Sequence, residues 1–494
     1  MDAPANGAGA APQPVGSGAG SSATAYRRHR PENTVLYQVV EANADAFFAH
    51  LDERDASLPR FVREEFEAYL GCGRLEGGFV RAKCTGCRHE YLVAFSCKRR
   101  GWCPSCGARR MVETAAHLLD NVLPRAPMRQ WVVTFPWPLR LALAAHPEWL
   151  TRVLAIVTRA LSSALVKRAG YRPGDGAQTG FVTFIQRFGS KLNLNVHLHL
   201  LALDGAYTFE HGKVHFHRAR APYPGELEVL LDTLIRRITR TLVRAGVLVE
   251  DSEQPFLDVA LDSPLAQLSG AAVRYLIAVG PQAGRATMRL QEHAARDDTP
   301  APSKPFTVAR DGFSLNCAVA CEAHERAKLE RICRYMARPP IAEERLSVDG
   351  DGLVVLELNR AFRDGTTHVL FEPHDFIARL AALVPRPRAH LVRYHGLFAP
   401  RARHRRLVLP RSSAPPRAGA DDDLPDAACI APMSWMARLH RVWGIEIDRC
   451  PQCGGEVRVI ATVTEPGVIA RILESLRRRE HVAPEPRGPP PLAA

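Results

Sequence analysis

The sequence has no uncharged apolar run of membrane-spanning length. Its longest apolar stretch, 150–166, is interrupted by Arg152 and Arg159 and reads as an amphipathic helix. Residues 1–25 are mostly Ala, Gly, Pro and Ser, without a charged start followed by an apolar core, so a cytoplasmic protein is expected. There is no Walker-type glycine loop, which argues against a nucleotide cofactor, and no internal repeat. Acidic residues are in deficit, 52 against 65 Lys and Arg. The resulting charge of +13 favours a polyanionic partner, nucleic acid before anionic membrane.

What the chain does have is length, cysteine and a few unusual strands. Its 494 residues suffice for two to four domains. In a reducing compartment the 12 cysteines, several in Cys-x-x-Cys pairs, read as metal ligands rather than disulfides.

The pattern divides the chain into a low-complexity tail at 1–33, a helical and zinc-binding domain at 34–125, a catalytic domain at 126–410, a charge-segregated linker at 411–432, a small Cys-x-x-Cys module at 433–480 and a Pro-rich tail at 481–494. Helices are expected on either side of Ser57–Pro59, from Ala108 to Leu123, over 139–168, over 225–245 and over 323–338. Strands are expected at RQWVVTF, 129–135, and at 181–188 and 192–203. The last two flank Gly189-Ser190 as an antiparallel hairpin. The fold class is α+β: an antiparallel sheet with helices, preceded by a small helical, zinc-ribbon domain.

Cys84 and Cys87 have two residues between them, as do Cys103 and Cys106, and 15 residues separate the pairs. That spacing fits a four-cysteine zinc ribbon, with Cys72, Cys97 and His89 as alternative ligands. Its loops carry Lys98, Arg99 and Arg100, which with Phe95 and Trp102 suggest a surface that grips DNA. In CPQCGG, Cys450 and Cys453 lack an obvious second pair. Cys429 and His440 are possible completions.

On a strand, His197 and His199 share one face with Asn193 and Asn195, while Val196, Leu198 and Leu200 share the other. Two imidazoles on one polar face make a metal-binding arrangement. If Gly189-Ser190 is a tight turn, Gln186 shares this face but lies about four residues along from His197, roughly 13 Å away, and is expected to touch DNA instead. In the helix ending at Arg338, Leu329, Ile332, Cys333 and Met336 form the buried stripe. Tyr335 lies off it, on the side of Lys328, Arg331 and Arg338. A phenol among cations is easier to ionise, as a tyrosine nucleophile requires.

The succession of cysteine module, RQWVVTF, LNLNVHLHLLALDG, RICRYMARPPIAEERL, RDGTTHVLFEPHDFIARL and LVRYHGLFAP resembles the rolling-circle insertion-sequence transposases of the His-hydrophobe-His tyrosine endonuclease superfamily. The resemblance covers about residues 37–475. It implies a bacterial, nucleoid-associated transposase that binds transposon-end DNA, nicks single-stranded DNA and transfers the strand. His197 and His199 would be ligands of a catalytic Mg²⁺ or Mn²⁺, Tyr335 the nucleophile that forms a 5′-phosphotyrosine, and zinc a structural ion. Double-tyrosine relatives carry a second tyrosine four residues earlier. Arg331 stands there, so the chain resembles the single-tyrosine branch, and Tyr394 reads as structural. The other readings are a plasmid replication initiator or relaxase, and a non-catalytic zinc-dependent DNA-binding regulator. A homo-oligomer is compatible with each.

Overall fold

The computed structural model describes residues 30–249, 262–291, 305–409 and 449–481 apart from isolated positions, with short strands at 24–25, 256–257 and 445–446. The linker at 411–432, Cys429, His440 and nearly all of both tails lie outside the described residues. The chain forms two compact units. The mixed architecture is α+β, as the sequence pattern indicates.

The larger unit is built on a seven-stranded antiparallel sheet. Its strands are β1 (Met128–Thr134), β2 (Gly180–Phe188), β3 (Leu194–Leu203), β4 (Thr307–Arg310), β5 (Phe313–Asn316), β6 (Ala320–Cys321) and β7 (Val392–Gly396). Their spatial order is β4-β5-β1-β3-β2-β7, with β6 also pairing β1. The strand carrying both histidines is therefore central, paired on both edges, and cannot slip without turning its apolar residues outward.

Alternation sorts β3 cleanly. Val196, Leu198 and Leu200 are fully buried on one face of the sheet. On that face Trp131, Val133 and Leu315 meet Val157 and Leu161 of helix Pro147–Arg168 and Leu230 and Leu234 of helix Pro224–Arg244. Pro147–Arg168 is long and apolar enough to cross a membrane by length and composition alone, but its apolar side chains are spent on this core. The helical stretch expected at 139–168 is in fact two helices, Trp137–Ala145 and Pro147–Arg168. Pro147 lacks an N–H to continue the first, and its fixed φ suits the first turn of the second.

The opposite face carries the histidines. Beyond them, Leu201 and Leu203 with Val182 and Phe184 pack under helix Pro104–Asn121 and helix Arg326–Ala337, whose buried stripe is Leu329, Cys333 and Met336. Burying each such side chain contributes roughly 1.5–3 kcal/mol. The helix that bears Tyr335 is thus fixed to the histidine face by its own apolar stripe, and Pro339-Pro340 end it directly after the tyrosine. Tyr394, on β7, is half-buried against this same core, in keeping with a structural role.

At the end of β3 the Arg129 guanidinium clamps Asp204 bidentately, at 3.0 and 2.8 Å, and donates to the Cys317 carbonyl at 3.0 Å. Both groups are nearly sealed from solvent. Removing one partner strands a buried charge, so Asp204→Ala should lower unfolding free energy by about 3–5 kcal/mol, seen as a lower urea midpoint.

A second, four-stranded antiparallel sheet joins Met288–Gln291, Thr366–Phe371, Val354–Glu357 and Leu346–Val348 in that order. The smaller unit is a three-stranded antiparallel sheet of Val457–Val463, Phe79–Cys84 and Glu90–Ala94. Ile469 and Leu473 of helix Pro466–His481 pack on Phe79 and Val463. The segment expected to be a separate C-terminal module is therefore one edge of the N-terminal cysteine region's own sheet.

Candidate active site and metal centres

The quartet expected from spacing, Cys84, Cys87, Cys103 and Cys106, does not assemble. Pairing of Cys84 with Val457 brings the CPQCGG turn beside the first Cys-x-x-Cys turn. The sulfurs of Cys84, Cys87, Cys450 and Cys453 then lie within 4.8 Å of one another. Cys84–Cys453 and Cys87–Cys450 sulfurs are each 3.5 Å apart. A tetrahedron with Zn–S bonds of about 2.3 Å puts its sulfurs about 3.8 Å apart, so the spacing suits one zinc and is far too long for a disulfide.

The CPQCGG turn is the tighter of the two. A side chain at Gly455 would meet the Cys84 sulfur at 3.1 Å and the Cys453 sulfur at 3.3 Å. Backbone N–H groups, first that of Cys87 and then that of Gly86, hold the Cys84 thiol down to about 7, which favours the thiolate that zinc takes. Cys103, the N-cap of Pro104–Asn121, and Cys106 in its first turn belong to the larger unit and are not among these four. His89 is not among them either. Spacing along the chain could not find this set, because its completing pair lies more than 360 residues away.

The expected basic, aromatic surface is only partly realised. Trp102 is fully buried and offers no ring to a base. Lys98 and Arg100 are exposed and Arg99 half-buried, and Arg100 donates to the Ala389 carbonyl at 3.1 Å.

On β3 the two imidazoles converge. His197 Nε2 and His199 Nε2 are 3.1 Å apart. His197 Nδ1 donates to the Asn195 carbonyl at 2.8 Å, which leaves its Nε2 lone pair free. Gln130 Nε2, on β1, donates to His199 Nδ1 at 2.8 Å. His199 Nε2 then carries the ring proton and donates to the His197 Nε2 lone pair, and a turn of the Gln130 amide that sets its oxygen against Nδ1 would free both Nε2 lone pairs for one ion. Burial pushes His197 down to about 4 and His199 well below its usual range, so both are neutral at physiological pH.

Gln186 stands directly across from His197, paired with it in the β2–β3 ladder. The two-residue turn that would separate them by about 13 Å does not form. The connection runs from Gly189 to Asn193, closed by Gly189 N–H to the Asn193 carbonyl at 3.0 Å, and the extra residues together with a register shift after Gln186 move the ladder. Gln186 Nε2 donates to the Met336 carbonyl at 2.8 Å, at the open end of the tyrosine helix, while its buried Oε1 has no partner.

Tyr335 is 47% exposed, and its ring meets that of His199 edge to face at 6.0 Å between centroids. The Arg338 guanidinium lies over the phenol ring at 4.1 Å. Of the other two cations expected there, Lys328 is paired with Glu325 at 3.1 Å and Arg331 is exposed on the same helix. A phenol, two neutral imidazoles, an unpartnered amide oxygen and a guanidinium therefore share one face of the sheet. Gln130 escaped the sequence reading, although its signal was present: a polar residue at an alternate position of an otherwise apolar strand.

Two family comparisons match this chain. Residues 40–135 match a transposase zinc-binding domain, and residues 180–406 match the family described as "Putative transposase". No curated protein and no solved structure matches it. The order of a zinc domain followed by a catalytic region defines a nucleic-acid-processing enzyme that acts on DNA. The chain belongs to the insertion-sequence transposases with an N-terminal zinc-binding domain, and zinc is its structural ion.

Proposed function

We propose that this transposase nicks and rejoins single-stranded DNA at transposon ends with Tyr335 as nucleophile, in a rolling-circle type of transposition. The observation that carries this reading is the meeting of Tyr335 with the His197–His199 pair, two elements more than 130 residues apart in the chain.

Tyr335 Oη attacks the phosphorus in line, the P–O3′ bond breaks, and a 5′-phosphotyrosine and a 3′-hydroxyl result. The proton lost by the phenol balances the one gained by the departing 3′ oxygen. Arg338, over the phenol ring, is placed to offset charge on the phosphate. Because the phosphotyrosine keeps the energy of the broken ester, rejoining to another 3′-hydroxyl needs no nucleotide. Arg331 occupies the position four residues before Tyr335, so one tyrosine serves the reaction.

His197, His199 and Gln186 fit a divalent cation. The unpartnered Gln186 oxygen supplies the hard ligand that imidazoles alone do not, and suits Mg²⁺ or Mn²⁺. Bound there, such an ion would supply polarisation of the scissile phosphate. Gln186 also ties the histidine strand to the tyrosine helix. Gln186→Ala should weaken Mn²⁺ binding at least about tenfold, read by electron paramagnetic resonance, whereas Gln186→Glu retains it. Unchanged affinity in Gln186→Ala would remove Gln186 from the ligand set. The function itself is tested by incubating an end-labelled single strand with the protein and Mn²⁺. A protein–DNA adduct that survives denaturant is expected, and its absence across transposon-end sequences would refute the nicking reaction.

A further inference from the structure

A row of alternating rings and cations runs beside the histidine strand, and neither the zinc centres nor the nicking residues account for it. Trp137 begins the helix that follows β1 and is 50% exposed. The Arg274 guanidinium lies 5.9 Å from its ring. The next residue in the chain is Tyr275, whose ring holds Lys191 Nζ at 4.8 Å, and the same ammonium lies 4.1 Å from the Phe362 ring. The sequence of groups across the surface is thus Trp137, Arg274, Tyr275, Lys191, Phe362, contributed by four separate segments of the larger unit.

Two features set this row apart from ordinary surface packing. Tyr275 terminates helix Pro264–Arg274 in the left-handed conformation, φ 61°, where glycine or asparagine would be easier. Leu192, directly after Lys191, is also left-handed, φ 56°. Tyr275 is thus held in the row at a backbone cost, and Lys191 is presented by a strained turn whose own Leu192 is buried. The row is also adjacent to the candidate nicking site. Thr134, three residues before Trp137, is the cross-strand partner of His197, and Arg140 of the same helix is within electrostatic range of both His197 and Tyr275.

We infer that Trp137, Arg274, Tyr275, Lys191 and Phe362 form a stacking platform for the bases of single-stranded DNA next to the scissile phosphate. Ring faces receive unstacked bases irrespective of sequence, and interleaved cations neutralise the phosphates between them. Paired bases in a duplex have no free faces to offer, so the platform selects single strands. The inference rests on the nicking reading for its substrate and adds the residues that hold it.

The test measures equilibrium binding of the full chain, with the Tyr335→Phe substitution present throughout so that no adduct forms, to an oligo-dT strand and to an abasic strand of equal length. The parent protein should prefer oligo-dT. Trp137→Ala should lose about tenfold in affinity for oligo-dT and nothing for the abasic strand, with Trp137→Phe recovering most of the loss. Tyr275→Gly removes a ring while relieving its backbone, so it should bind oligo-dT more weakly yet unfold at equal or higher denaturant. Equal losses on both strands, or unchanged oligo-dT affinity in both Trp137→Ala and Tyr275→Gly, would overturn the platform. Neither outcome depends on whether the wild-type chain forms a covalent adduct, which is judged separately.

Discussion

Tyr335→Phe is expected to abolish covalent attachment to single-stranded DNA, by at least about 10³-fold, while leaving fold and DNA affinity nearly intact. The substitution removes one oxygen from a side chain that is 47% exposed. The ring contacts with His199 and Arg338 remain available to phenylalanine. A structural tyrosine at this position would give a variant with altered stability and normal chemistry. His197→Ala should abolish attachment as well, but together with Mn²⁺ binding, which Tyr335→Phe retains. That separation of nucleophile from ligand is what the geometry demands, since the phenol meets the imidazoles through its ring edge and the two Nε2 atoms face each other.

Cys450→Ser should remove one zinc ion per chain and unfold the smaller unit's sheet. Structural zinc sites contribute on the order of 10 kcal/mol or more to small domains, and the cluster under this sheet is small, with Phe79, Val463, Ile469 and Leu473 its buried residues among those described. Cys84→Ser should do the same. The double variant should be no worse than either single one, because one ion is lost in every case. Cys103→Ser should leave that zinc in place, and its effect should add to that of Cys450→Ser. Zinc content by mass spectrometry and sheet content by circular dichroism read both patterns. Non-additivity between Cys84 and Cys103, with Cys450 independent, would restore the quartet suggested by spacing.

Local signals carried much of this architecture. Alternation placed His197 and His199 on one face of a strand, and a 3.6-residue period set Tyr335 apart from Leu329, Cys333 and Met336. Both patterns belong to single elements, and both hold in the structure. What stayed hidden was pairing between elements. Gln186 faces His197 only because the connecting turn uses five residues rather than two, a choice that depends on the left-handed Leu192 and on Asn193. Cys450 and Cys453 complete the first cysteine pair only because Val457–Val463 adds to a strand near the opposite end of the chain. Trp102 looked like a surface aromatic because it follows a run of basic residues, yet it is fully buried. Register and long-range strand addition are decided by tertiary packing, which neither composition nor periodicity records.

The central claim is that Tyr335, brought to the histidine pair by the packing of its helix, is the residue that bonds to DNA. Its most direct test is proteolysis of the denatured protein–DNA adduct and sequencing of the nucleotide-bearing peptide. The account predicts a single modified peptide from the helix Arg326–Ala337, with the phosphate on Tyr335. Modification of Tyr394, or of any residue outside that helix, would contradict it.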